Sequence, residues 1–213
     1  MRTKMILTVL MLISAVAAQA NAGYIEAMQK AIDKVYKAET ILEIQEAVNV
    51  LDRISNAEKG KWEPSYYAAF GYIMMATKEA DVATKDKYLD QAKVYADRAS
   101  AIQPNNDEII TLEGFISTIR VSVDPATRGQ QYSGLAMQAF GKALALNPNN
   151  PRALGLMAQM QFGTARFFHA STGEACATAR KAQAIFAVPP TGTDALAPVW
   201  GKGMVEGMVA NCK

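Results

Sequence analysis

Apolar residues recur along most of this chain at helical rather than strand spacing. From Gly23 to Ala38 the apolar positions are Tyr24, Met28, Ala31, Ile32, Val35 and Tyr36, which fall on one helical face. Thr40-Ile41-Leu42-Glu43 then has the form of a capping box and starts a second helix. Its stripe runs through Ile44, Ala47, Val48, Leu51 and Ile54 and stops at Gly60. Pro64 suits the first turn of a third helix, where an amide hydrogen is not needed. The same logic ends a helix at Pro148. There Asn149 and Asn150 suit the turn and an N-cap, and Pro151 suits the next first turn.

The segment before that stop is the clearest pattern in the chain. Ala136, Phe140 and Ala143 lie four and then three residues apart, so two small residues and one aromatic share a face. Earlier in the chain stand Ala92, Ala96, Ala99 and Ile102, followed by Pro104-Asn105-Asn106, which one constant shift carries onto Ala136, Phe140, Ala143, Leu146 and Pro148-Asn149-Asn150. A weaker third copy is expected at Ala177, Ala184, Ala187 and Pro189. A period of roughly 40 residues is the mark of stacked helical hairpins.

The Ala-x3-Phe-x2-Ala-x4-Pro pattern resembles the second helix of a tetratricopeptide repeat. Tyr67, Phe70, Gly71 and Met74 resemble the signature of its first helix, which is weaker in later copies. The chain is therefore expected to be all-α, a TPR-like α-solenoid of about four hairpins at residues 23–60, 63–104, 106–148 and 150–189. After Pro189-Pro190-Thr191-Gly192, Thr193 or Asp194 is expected to cap a closing helix within 194–211. The resemblance makes Ala92, Ala99, Ala136, Phe140 and Ala143 repeat-packing residues. It also implies a concave groove lined by the first helices, at Ala68, Tyr72 and Met75, at Thr111, Phe115 and Thr118, and at Gly155, Gln159 and Phe162. Tyr72, Phe115, Phe162 and Gln159 are the candidate binding residues, the aromatics because such area dominates interfaces. The standard repeat is shorter, at about 34 residues. The excess here falls between the paired helices, at Thr77 to Lys87, Val123 to Gln131 and Ala170 to Glu174. Long loops or lengthened helices both satisfy that count.

Met1 to Ala22 reads as a secretory signal peptide, with Arg2 and Lys4 before an apolar run and Ala20-Asn21-Ala22 at the cleavage site. Cleavage before Gly23 is expected to deliver the protein to the periplasm or outside the cell. Removing the leader's two cations leaves 20 basic and 20 acidic residues, so a footprint for nucleic acid is absent. No later run is long and apolar enough to span a membrane.

An oxidising compartment allows Cys176 and Cys212 to pair. The ends of two antiparallel helices would bring them together, with an offset on the order of 9 Å to absorb. Two buried free thiols, or redox chemistry, are the alternatives, and the latter lacks a Cys-x-x-Cys motif. Enzyme signatures are missing: there is no Gly-x-Ser-x-Gly, phosphate loop or Gly-x-Gly-x-x-Gly. His169, the only histidine, stands beside Phe167 and Phe168 and cannot build a multi-histidine metal site. The sequence thus points to a non-catalytic scaffold for a protein or peptide partner in the cell envelope, with no cofactor. The rival is an envelope ligand-binding or hydrolytic protein on a helical-repeat body.

Overall fold

The computed structural model describes residues 22–189, 192 and 194–212. Apart from Ala22, the expected signal peptide lies outside them, as does Thr193. Among the described residues all regular structure is helical. The helices are α1 (22–37), α2 (Ile41–Ala57), α3 (Glu63–Lys78), α4 (Val82–Ile102) and α5 (Asp107–Val123). They continue with α6 (Pro125–Leu146), α7 (Pro151–Phe167), α8 (Gly173–Phe186) and α9 (Lys202–Ala210).

Local sequence sets the helix starts. Thr40 and Glu43 form the reciprocal capping box of α2, with Glu43 accepting from the Thr40 amide at 2.9 Å. Asp81, Asn106, Asp124 and Asn150 cap α4, α5, α6 and α7 through their side-chain oxygens. Proline occupies the first turn of α3, α6 and α7, where its missing amide costs nothing. The residues in excess of a standard repeat are largely helical: only Glu79 to Asp81 separate α3 from α4, and Asp124 alone separates α5 from α6.

The helices pack in consecutive pairs. α3 also packs on α5, and α5 on α7, whereas the backbones of α4, α6 and α8 stay apart and α4 meets α6 through the Arg128–Asp86 side-chain pair. Through the α3–α5 and α5–α7 contacts the first helices of successive hairpins form one continuous inner side. Small residues set the close approaches. A Cβ on Gly71 would lie 2.5 Å from Val48 Cγ2, and one on Gly114 would collide with the Phe140 ring. Phe140 is thus seated within its own hairpin, against α5, rather than between hairpins. Ala143 does join two hairpins, packing with Ile110 of α5 and Ala153 of α7. Ala92, Ala99 and Ala136 are likewise fully buried.

The third copy sits in a different register from the one the sequence suggests. Ala177 and Ala184 are exposed, and the buried small residues of α8 include Ala175, Ala179 and Ala182. These three repeat the four-then-three spacing of Ala136, Phe140 and Ala143. The short loop before α8 removes residues from the repeat, and this moves the face.

The closing helix also differs from expectation. Residues 194–200 carry no helix, and α9 starts only at Lys202 after Gly201, whose φ is 103°. Glycine is required there, because a Cβ would meet Arg152 Cγ at 3.1 Å and Phe186 Cζ at 3.2 Å on a backbone that L residues avoid. Cys176 and Cys212 are joined as a disulfide with Cα atoms 5.7 Å apart. The expected offset between the two helices is absorbed by the irregular segment and by the shortness of α9.

Candidate functional site

The inner side, where the resemblance places a peptide groove, is occupied by the chain itself. Residues 194–200 reach side chains of α1, α3, α5 and α7, and Leu196 and Trp200 are buried there. The Trp200 ring stacks on Phe70 at 5.1 Å and on Phe115 at 5.6 Å, one ring from each of two hairpins. Its indole N–H donates to the Tyr66 hydroxyl at 2.9 Å, and the Tyr67 hydroxyl donates to the Leu196 carbonyl at 2.7 Å. Burial pushes both phenols well above their usual range, so they stay protonated donors.

A buried ion pair closes the end of this seam. Arg152 donates twice to Glu108, from Nε and Nη2, each at 2.7 Å. The fork geometry answers both charges, which burial demands. Asn150, fully buried, caps α7 and also donates to Asp107 at 2.7 Å and Glu108 at 2.8 Å. The guanidinium lies 5.8 Å from the Trp200 ring centre, within cation–π range.

The candidate groove residues consequently part company. Phe115 is only 7% exposed, because Trp200 covers it. Tyr72 is half-buried between helices of one hairpin, stacked on Tyr95 at 5.6 Å. Neither faces an open groove. Ala68, Met75 and Thr111 are fully buried, so the inner face of α3 and α5 is core. Gln159 and Phe162 do line an open cleft, of about 250 Å³, with Gly155, Met204, Met208 and Asn211. It lies between α7 and α9, whose close approach leaves no room for a Cβ on Gly155 beside Val205 Cγ2.

A second cleft, of about 290 Å³, lies on the other flank of α7. Met137 of α6, Gln161, Thr164, Ala165 and Phe168 line it, with Ala170, Ser171, Glu174 and Ala175 beyond. Gln161 Oε1 is buried without a hydrogen-bond partner, a cost of about 1–3 kcal/mol when nothing answers it. Beside this cleft the chain exposes large apolar area: Phe167 is 79% exposed and Phe168 70%. Their rings meet edge-on at 5.0 Å.

The turn that carries them is a tight helix stop. The His169 amide donates to the Arg166 carbonyl at 3.3 Å, and the Ala170 amide donates to the Ala165 carbonyl at 2.8 Å. These are the two bonds of a Schellman cap, and His169 takes its left-handed position with φ 53°. The sequence shows the residues Phe167, Phe168 and His169 but not this turn, since the usual glycine signal is absent.

The arrangement offers two open clefts of mixed apolar and polar lining, with the imidazole of His169 beside one of them. Among the described residues no group of three His, Cys, Asp or Glu side chains could hold a metal ion, and no helix is long and apolar enough to cross a membrane. No family model matches the sequence. No curated protein matches it significantly. The structure is similar to that of the HusA haemophore from Porphyromonas gingivalis, with a TM-score of 0.79 and 26% identity over 89% of this chain and 92% of that one.

Proposed function

We propose that this protein is an exported, non-catalytic binding protein whose ligand is a flat, largely apolar molecule of the haem class, held at the α7 end of the array. The observation that carries this reading is the similarity to a haemophore across nearly the full length of both chains. The two clefts flanking α7 support it. Their volumes sit at or below the low end of ligand pockets, so each suits one face or edge of a planar molecule rather than full enclosure. Exposed Phe167 and Phe168 supply further apolar area for such a ligand to cover.

Export belongs to the same proposal. The leader-like residues 1–22 and the Cys176–Cys212 disulfide both fit an oxidising compartment. The hairpins are read as tetratricopeptide-like, with lengthened helices and an inner side given over to the protein's own C-terminal segment. That segment weighs against a peptide groove on α3 and α5. A protein partner remains the second reading, because exposed Phe167 and Phe168 also suit a docking patch.

Titration of the mature protein, residues 23–213, with haemin and with iron-free protoporphyrin tests the first reading. Saturable one-to-one binding of haemin, seen as a shifted Soret band, is the expected result. Failure to bind either molecule, with capture of a defined envelope protein instead, overturns it in favour of the second.

A further inference from the structure

His169 is the single histidine of the chain, and it stands at a position that ordinarily selects another residue. The left-handed site of a Schellman cap favours glycine, then asparagine, because a Cβ crowds the backbone there. Histidine is, with asparagine and aspartate, among the side chains that tolerate φ near 53°, so the turn accepts it, although glycine would hold the same backbone at less cost. His169 is exposed, next to two phenyl rings that are also exposed and beside the cleft that Phe168 and Ala170 line. The two cap hydrogen bonds fix the turn, so the ring projects from a rigid base. A neutral imidazole is the commonest protein ligand of transition metals and the usual axial ligand of haem iron.

We propose that His169 supplies an axial nitrogen to the iron of a haem-class ligand docked at the α7–α8 turn; the proposal rests on the haem-class reading above. The imidazole lone pair forms the bond to iron, with no change in oxidation state. Phe168 and Met137 supply apolar contact to the macrocycle on the cleft side, and Phe167 covers it from the adjacent turn. Arg166, exposed on the last turn of α7, holds its guanidinium 5.9 Å from the Phe162 ring, toward the other cleft, so the proposal rests on His169 and the apolar residues alone. A single axial ligand on an open turn suits a carrier, since it holds the iron while leaving the far face of the ring accessible.

The test compares the wild type with His169→Gly, a variant that relieves the left-handed backbone and so keeps the fold. Thermal melting is measured alongside to establish that. In the wild type, haemin should give the absorption and electron paramagnetic signature of nitrogen ligation. In His169→Gly that signature should vanish and haemin affinity should fall on the order of tenfold or more, since even partners that only orient a ligand cost that much when removed. Free imidazole should restore the signature, and iron-free protoporphyrin should bind both proteins equally. Unchanged haemin spectrum and affinity in His169→Gly overturn the axial role while leaving haem binding intact. Equal loss of haemin and iron-free porphyrin also overturns it, by assigning His169 to packing. Failure of the wild type to bind either molecule defeats the haem-class reading itself.

Discussion

Two groups of aromatic residues on this molecule have opposite fates. Along the inner side, Tyr66, Tyr67, Phe70 and Phe115 are buried, and the chain answers them with its own Trp200, itself only 9% exposed. At the α7–α8 turn, Phe167 and Phe168 pack on each other and otherwise face solvent. Residue type alone does not separate the groups. What separates them is whether another part of the chain reaches them. Residues 194–200 reach the first group, and among the described residues nothing covers the second. The first group therefore serves stability, whereas the second is left exposed.

Breaking the seam should give the largest effect. Trp200→Ala removes the ring that bridges two hairpins and leaves a cavity, and it should cost about 3–5 kcal/mol in chemical denaturation. A loss below about 1 kcal/mol would show that the segment merely rests on the surface. The disulfide holds the far end of the same segment. Replacing Cys176 and Cys212 by serine should cost about 3–4 kcal/mol for a loop of this length, measured the same way. Overpacking the α7–α9 contact is a milder insult. Gly155→Ala should cost about 1–3 kcal/mol, because its Cβ would collide with Val205. It should also disturb the cleft between α7 and α9 without touching His169.

Acid should loosen the helix starts and rim before the seam. A hydrogen bond from Arg128 holds the Asp86 carboxyl below its ordinary range, and Thr84 and Thr127 do the same for Asp81 and Asp124. A depressed carboxylate stabilises the fold fully above its ordinary pKa of about 4, and that contribution is lost as pH falls through the depressed value. Burial raises the Glu113 carboxyl, which has the opposite sign and offsets part of the loss. Along the seam between Tyr67 and Trp200 the donors are phenols and an indole, which acid leaves protonated, and the Arg152–Glu108 pair stands only at its end. Hydrogen exchange at about pH 3, below the ordinary carboxylate range, should therefore show early opening around Asp81 to Asp86 and Asp124. Protection should persist at Tyr66, Tyr67 and Trp200.

The smallest stability effect belongs to the exposed pair. Phe167→Ser with Phe168→Ser should change stability in chemical denaturation by no more than about 0.5 kcal/mol per site. Haemin affinity should fall nonetheless. A large loss of stability would mean that these rings are structural, and the contrast between the two aromatic groups would disappear.

The hairpins are legible in the chain because their causes are local. Helical spacing, side-chain caps such as Thr40 and Asn150, and proline in first turns act over a few residues. The alanine face of α4 and α6 is equally visible, since small residues at repeat spacing have few other uses. The third copy misleads because Ala177 and Ala184 have the right composition in the wrong register, and only packing distinguishes an exposed alanine from a buried one. The groove residues Tyr72 and Phe115 mislead for a different reason. Phe115 is covered by Trp200, from a segment far along the chain and beyond three further helices, and no spacing rule anticipates that contact.

The sequence by itself determined that this protein is built of paired helices, where most of them start, and that its two cysteines could meet. Those properties follow from backbone sterics, hydrogen-bonding capacity and helical period, all of them short-range. The tertiary structure decided that residues 194–200 fill the inner side, that Arg152 and Glu108 pair beside Trp200, and that His169 stands on a rigid turn beside two exposed rings. The first two depend on contacts between distant parts of the chain, whose free energy is realised only when the whole array is assembled. The third depends on where α7 stops, which no glycine marks.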